Sequence, residues 1–150
     1  GRRTAISTKT ARSLITIFTR DSRSFIQYVG DADPWTTPDN VTALNTIQEV
    51  VESEKEALAD ISQQLLRARV PMPYPGSYPT AFTSMNFLAL EWIAKKMIRT
   101  EDELISLLET EIATLEGEEK SLVQALLDLK KSNREKLQQL TATQEPVAQE

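Results

Sequence analysis

The amino-acid sequence predicts an all-α protein, and two features of the chain carry that prediction. Long segments place apolar residues every three or four positions, which is the spacing of one helical face. Residues that break helices are few, with four glycines and seven prolines among 150 residues. Six of the seven prolines lie at residues 34–38 and 71–79, between the periodic segments. These two short stretches therefore divide the chain into long helices.

The first helix is predicted over about Thr4–Val29, and Gly30 is expected to end it in a left-handed conformation. The stretch 31–38 contains two prolines and should be a turn-rich connection. The second helix is predicted from Thr37 or Asp39 to about Arg69, because a capping hydroxyl precedes a proline there. The residues of this helix that share its apolar face form a stripe, with successive members three or four positions apart. The stripe contains one acidic residue among seven apolar ones: Leu44, Ile47, Val51, Glu54, Leu58, Ile61, Leu65 and Ala68.

Residues 70–80 cannot be helical, since their alternating prolines hold the backbone extended. This connector can span roughly 30 Å. A third helix is expected from Thr83 or Ser84 to Gly117. A capping-box pattern at 100–103 allows a division into two helices there, although one kinked helix is the preferred interpretation. The fourth helix is predicted over about Glu118–Leu140.

Connection lengths then predict the topology. Short turns make an antiparallel hairpin of the first two helices and another of the last two, and the connector joins the hairpins as a long crossover. We expect one four-helix-bundle domain at residues 1–140 and a disordered tail at 141–150.

This pattern resembles the ferritin-like superfamily. The resemblance implies carboxylates on the first and third helices and a Glu-x-x-His on the second and fourth, together holding two metal ions. The residues that match are Asp21, Glu54, and Glu91 or Glu101. The second-helix histidine position is Ala57, and the equivalent face of the fourth helix offers Asp128 with Lys131 three residues later, or Asn133.

The chain contains no histidine and no cysteine. Imidazole and thiolate metal sites, Ser-His-Asp relays and Cys-His nucleophiles are therefore excluded. We expect no cofactor and no metal. The alternative is a diverged metal-carboxylate site at Asp21, Glu54, Glu91 and Glu101.

Glu54 has two interpretations. The preferred one places it at the rim of the bundle, paired with a cation such as Arg20 or Arg23. The other is a buried carboxylate kept for a metal or an inter-helix contact, which would need a partner because burying an unpaired charge is unfavourable.

The aromatic residues in and around the connector are the group of side chains most typical of a functional surface. The preferred interpretation is a strap packed along the bundle, and the alternative is an extended peptide that docks to a partner. The set comprises Trp35, Tyr74, Tyr78, Phe82 and Trp92.

A net charge of −5 disfavours a nucleic-acid partner. No apolar run approaches the ~20 residues of a membrane span, and a cytoplasmic location is expected. The preferred function is a non-enzymatic structural or protein-interaction module, with a homodimer or another protein as partner. The alternatives are the metal-carboxylate protein and a small-molecule-binding bundle with the connector as its lid.

Overall fold

A computed structural model describes residues 6–32, 41–71, 77–79 and 90–144 of the chain. These residues form five α-helices and, within those ranges, no β-strand, so the predicted all-α class is confirmed. None of the described helices has the length and apolar character required to cross a membrane. The helices are α1 (Thr8–Ser22), α2 (Phe25–Ala32), α3 (Val41–Arg67), α4 (Leu90–Ile112) and α5 (Gly117–Gln144).

The predicted first helix is in fact two helices, with a break at Arg23 and Ser24. The Ser24 hydroxyl lies 3.5 Å from the amide nitrogen of Gln27, and the Ser24 carbonyl accepts a hydrogen bond from the amide of Tyr28 at 3.0 Å. Ser24 thereby occupies the position from which a serine begins a helix, so α2 starts afresh instead of continuing α1.

Gly30 does not end a helix, which corrects the prediction, because α2 continues past it to Ala32. A Cβ atom on Gly30 would lie 2.5 Å from Cγ1 of Val51 on α3. Glycine is therefore required at this position for the close approach of two helices, and not for a left-handed turn.

The third predicted helix is not divided near Thr100, since α4 runs unbroken from Leu90 to Ile112. The Thr100 hydroxyl donates to the carbonyl of Lys96, one turn earlier in the same helix, at 3.0 Å. It therefore bonds backward along the helix and caps no new one. The predicted start at Thr83 or Ser84 lies outside the described residues.

α4 and α5 are joined by the turn 113–116, and Gly117 has a φ of +66°. Ion pairs join Lys131 to Glu109 and Arg134 to Asp102, so residues later in α5 meet residues earlier in α4. The two helices are therefore antiparallel. α5 continues to Gln144, beyond its predicted end near Leu140, and residues 145–150 of the predicted disordered tail lie outside the described part.

α3 and α5 also run in opposite directions. Gln64 donates to Glu119 at 2.7 Å, whereas Asn133, much later in α5, donates to Ser53 at 3.1 Å. α1 contacts the C-terminal end of α4, where the Ser13 hydroxyl donates to the Glu111 carboxylate at 2.7 Å.

Two apolar clusters form the core. Residues of α2, α3, α4 and α5 build the first cluster: Phe25, Ile26, Val29, Ala43, Ile47, Val50, Val51, Ile93, Ala94, Met97, Leu137 and Leu140. The second cluster is built mainly by α1, α3, α4 and α5: Leu14, Ile17, Leu58, Ile61, Leu65, Leu108, Leu115, Val123, Leu126 and Leu127. In α1–α2, α3, α4 and α5 alike, a buried polar residue separates the members of one cluster from those of the other. The core is thus divided by a polar layer.

Candidate functional site

The polar layer contains four ionisable side chains, contributed by four different helices. Asp21 comes from α1, Glu54 from α3, Glu101 from α4 and Lys130 from α5. Each is at most 1% exposed. Burying ionisable groups so completely is unfavourable unless they satisfy one another, so their mutual geometry decides what the layer can do.

The Lys130 ammonium lies at the centre of the layer. Its Nζ donates to Glu54 Oε1 at 2.6 Å and to Glu101 Oε1 at 3.1 Å. Asp21 Oδ2 lies 3.0 Å from the same nitrogen, although it is poorly aligned for a hydrogen bond. One cation thus contacts three carboxyl groups from three helices.

Two further side chains complete the layer. Asn133, one turn after Lys130, donates from Nδ2 to Glu54 Oε2 at 2.8 Å, so both oxygens of Glu54 accept a hydrogen bond. Ser24, at the α1–α2 break, lies 3.4 Å from Asp21 Oδ1. The break in the first predicted helix therefore supplies a hydroxyl to this buried site.

Charge is distributed unevenly over the carboxyl groups. Burial raises the pKa of Glu101 to about 10, and hydrogen bonding with Glu54 adds to the shift, so Glu101 is protonated at neutral pH. Burial acts in the same direction on Glu54, but the Lys130 charge and hydrogen bonds from Glu101, Lys130 and Asn133 hold the pKa of Glu54 below its usual value. An ionised Glu101 would leave its buried Oε2 without a partner, whereas a protonated one can donate to Glu54.

The other two groups follow the same physical logic. Burial raises the pKa of Asp21, and the nearby Lys130 charge opposes that shift without cancelling it. Burial alone would lower the pKa of Lys130, but Asp21, Glu54 and Glu101 surround it and raise the pKa above its usual value. Lys130 is therefore a firmly protonated ammonium and a poor nucleophile or base.

The sequence stripe of α5 explains how these residues reach the core. Buried positions recur at alternating spacings of three and four residues: Val123, Leu126, Lys130, Asn133, Leu137 and Leu140. The sequence interpretation assigned the fourth-helix site to Asp128 with Lys131, or to Asn133, and so missed Lys130. Asp128 and Lys131 are exposed, and Asn133 is buried. Following this stripe from Val123 onward would have placed Lys130 inside.

The rim interpretation of Glu54 is wrong. Its side chain is fully buried and pairs with Lys130, whereas Arg20 and Arg23 are exposed. The α3 stripe places Glu54 between buried Val51 and Leu58, so its direction follows from helix periodicity.

Three members of the alternative metal set, Asp21, Glu54 and Glu101, converge in the layer, and the Glu91 side chain lies outside the described part. The donors are hard oxygen atoms of the kind that bind Mg²⁺ or Ca²⁺. They do not fit a metal as they stand, because the Lys130 ammonium fills the point toward which they converge. Across the described residues, no group of three or more such ligands is arranged to hold a metal ion.

Two members of the aromatic set can be located. Tyr78 is half-buried, its ring lies edge-on to Tyr28 with centroids 5.2 Å apart, and its hydroxyl donates to Asp31. Burial and that hydrogen bond raise the pKa of Tyr78. Trp92 lies edge-on to Phe25 at 6.3 Å and remains partly exposed. Trp35, Tyr74 and Phe82 lie outside the described residues.

No known protein family, curated protein or solved structure matches this chain.

Proposed function

We propose that this protein is a ferritin-like antiparallel four-helix bundle without a metal centre, acting as a structural or protein-interaction module. Two observations support the topology. α5 is antiparallel to both α3 and α4, which makes α3 and α4 parallel to each other. Parallel neighbours in sequence need a connection as long as the bundle, and the Pro-rich connector supplies enough residues for one.

The position of the Lys130 ammonium carries the functional proposal. It lies within 2.6–3.1 Å of carboxyl groups on α1, α3 and α4, where a metal ion would be needed for metal-carboxylate chemistry. An internal cation of this kind neutralises the layer without any exchangeable ligand. The interior then serves to hold four helices in register, and function falls to the outer surface and its contacts with a second copy or another protein.

One observation favours a second candidate, the diverged metal-carboxylate protein, namely the convergence of three of its residues on one point. Titration of the metal-free protein with Fe²⁺, Mn²⁺ and Zn²⁺, followed by elemental analysis after gel filtration, separates the two. The proposed function requires less than stoichiometric retention of every metal. One metal per chain, lost in Glu54→Gln and kept in the exposed control Glu52→Gln, would replace it with the second candidate.

A further inference from the structure

A cleft of about 240 Å³ lies beside the break between α1 and α2 and borders the polar layer at Ser24. Arg20 and Arg23 line it from one side, and Lys96 and Arg99 line it from α4. One carboxylate, that of Glu103, also lines the cleft. Four cations thus face a small volume in a chain whose net charge is −5.

The cations are arranged in two like-charged pairs. Arg20 and Arg23 are three residues apart, as are Lys96 and Arg99, and such pairs repel one another on a helical surface. Within the described residues, Arg20 and Arg99 form no hydrogen bond or ion pair, and Glu103 forms no ion pair within 4 Å. The repulsion is therefore not relieved by the carboxylate in the cleft.

The other two cations are positioned by neighbouring groups. Arg23 Nε donates to the carbonyl of Ser77 at 2.9 Å, a bond that does not use its two terminal nitrogens. Lys96 Nζ lies 5.2 Å from the centre of the Phe25 ring. Both contacts fix the long side chains beside the cleft, which lowers the entropy lost when a ligand binds.

The start of α2 borders the same cleft. The hydroxyls of the lining residues Ser24 and Thr100 already donate within the protein, to Asp21 Oδ1 and to the Lys96 carbonyl, and so add no free donor. Ser24 and Phe25 also mark the N-terminus of α2, so the positive end of that helix dipole lies at the cleft. Guanidinium groups, an ammonium and a helix N-terminus are groups that proteins use together to bind phosphate.

We propose that this cleft binds a small phosphate-bearing anion, either inorganic phosphate or a compact phosphomonoester. The volume is below that of sites for drug-sized molecules, roughly 300–1,000 Å³, which restricts the ligand to a compact one. The cleft borders the polar layer at Ser24, but none of its four cations takes part in the ion pairs of that layer, so the proposal does not depend on whether the bundle binds metal.

Isothermal titration with inorganic phosphate and with phenyl phosphate, at constant ionic strength set by chloride, tests the proposal. Saturable one-to-one binding of either ligand is expected. The ligand that binds more tightly shows whether the site prefers inorganic phosphate or a phosphomonoester. The double variant Arg20→Gln/Arg99→Gln should weaken binding at least about tenfold for each guanidinium removed. The control Lys9→Gln/Arg12→Gln removes the same charge from exposed positions of α1 outside the cleft and should bind as the wild type does.

Amide chemical shifts of the wild-type protein locate the anion even if a variant fails to fold. Saturable shifts at Phe25 and Thr100 are expected during the phosphate titration. No saturable binding, shifts confined to other residues, or equal weakening in the Lys9/Arg12 control would each overturn the proposal, the last by showing that only net charge attracts the anion.

Discussion

Lys130 shows how one side chain can satisfy several buried groups at once. The ammonium lies within 3.1 Å of oxygens on Asp21, Glu54 and Glu101, and all four residues are removed from water. Such a network contributes little net stability compared with apolar packing, but losing one partner leaves a buried charge uncompensated. Removing a single partner should therefore cost more stability than the whole intact network contributes relative to apolar packing.

Replacing Lys130 by methionine should therefore lower the free energy of unfolding by about 3–5 kcal/mol, because Glu54 would be left charged and without its cation. Urea denaturation measures the change. Lys131→Met is the matched control, since Lys131 is exposed and its ion pair with Glu109 is solvated. The control should change stability by less than about 0.5 kcal/mol.

Adding Glu54→Gln to Lys130→Met should restore part of the lost stability, because the uncompensated charge is then removed. A Lys130→Met protein as stable as the Lys131→Met control would show that the ammonium is not needed to satisfy the carboxylates.

At the scale of single elements, the close packing of α2 against α3 depends on Gly30. The missing side chain allows α2 to approach α3 so closely that a Cβ would lie 2.5 Å from Val51 Cγ1. Val51 belongs to the first apolar cluster, so a displacement here would disturb the packing of Phe25, Ile26 and Val29.

Gly30→Ala should accordingly destabilise the protein by about 1–3 kcal/mol through overpacking, even though alanine favours a helix interior by about 1 kcal/mol. Thermal or urea unfolding measures the difference. In a Val51→Ala background the same substitution should become neutral or stabilising, since the clashing methyl group is gone. Stabilisation by Gly30→Ala in the wild-type background would refute close approach as the reason for the glycine.

On the scale of the whole molecule, the polar layer should shape the dependence of stability on pH. The unfolded chain releases the Glu101 proton near pH 4.5, whereas the raised pKa lets the folded protein keep it until about pH 10. Unfolding therefore releases a proton throughout that interval. The contribution of Glu101 is fully present below pH 4.5 and is lost as the pH rises, by up to about 1.4 kcal/mol per pH unit.

The other groups set the limits of this profile. The raised pKa of Asp21 adds to the same decline, beginning near its ordinary value of 3.8, whereas the lowered pKa of Glu54 gives a contribution that disappears as the pH falls below 4.5. The raised pKa of Lys130 gives a contribution that is present below pH 10.5 and is lost as the pH rises further. Stability attributable to the layer should thus be greatest in mildly acidic solution.

Glu101→Gln replaces the protonated acid by a neutral side chain of similar shape, so it should flatten the decline between pH 5 and pH 9. Denaturation midpoints across that range, compared with those of the exposed control Glu103→Gln, measure the effect. Parallel profiles for wild type and Glu101→Gln would contradict a protonated Glu101.

The sequence by itself determined the helical class, most helix positions and the stripe of α3, because the spacing of apolar residues and the placement of proline act locally. It also brought forward Glu54, since an acidic residue at a stripe position needs no tertiary information to be noticed, whereas Asp21 and Glu101 were candidates through the resemblance to the ferritin-like superfamily. The same reasoning failed at Gly30 and Ser24. Whether a glycine ends a helix or admits a neighbouring one depends on Val51, which is distant in the sequence.

Only the tertiary structure decided what the acidic residues do. Periodicity shows that Glu54 faces inward but cannot show which cation meets it, since Lys130 is 76 residues away along the chain. The cleft lined by Arg20 and Arg99 likewise joins separate helices. The physical reason is that a helical stripe is a one-dimensional property of a segment, whereas the charge on a buried group is set by every element packed around it.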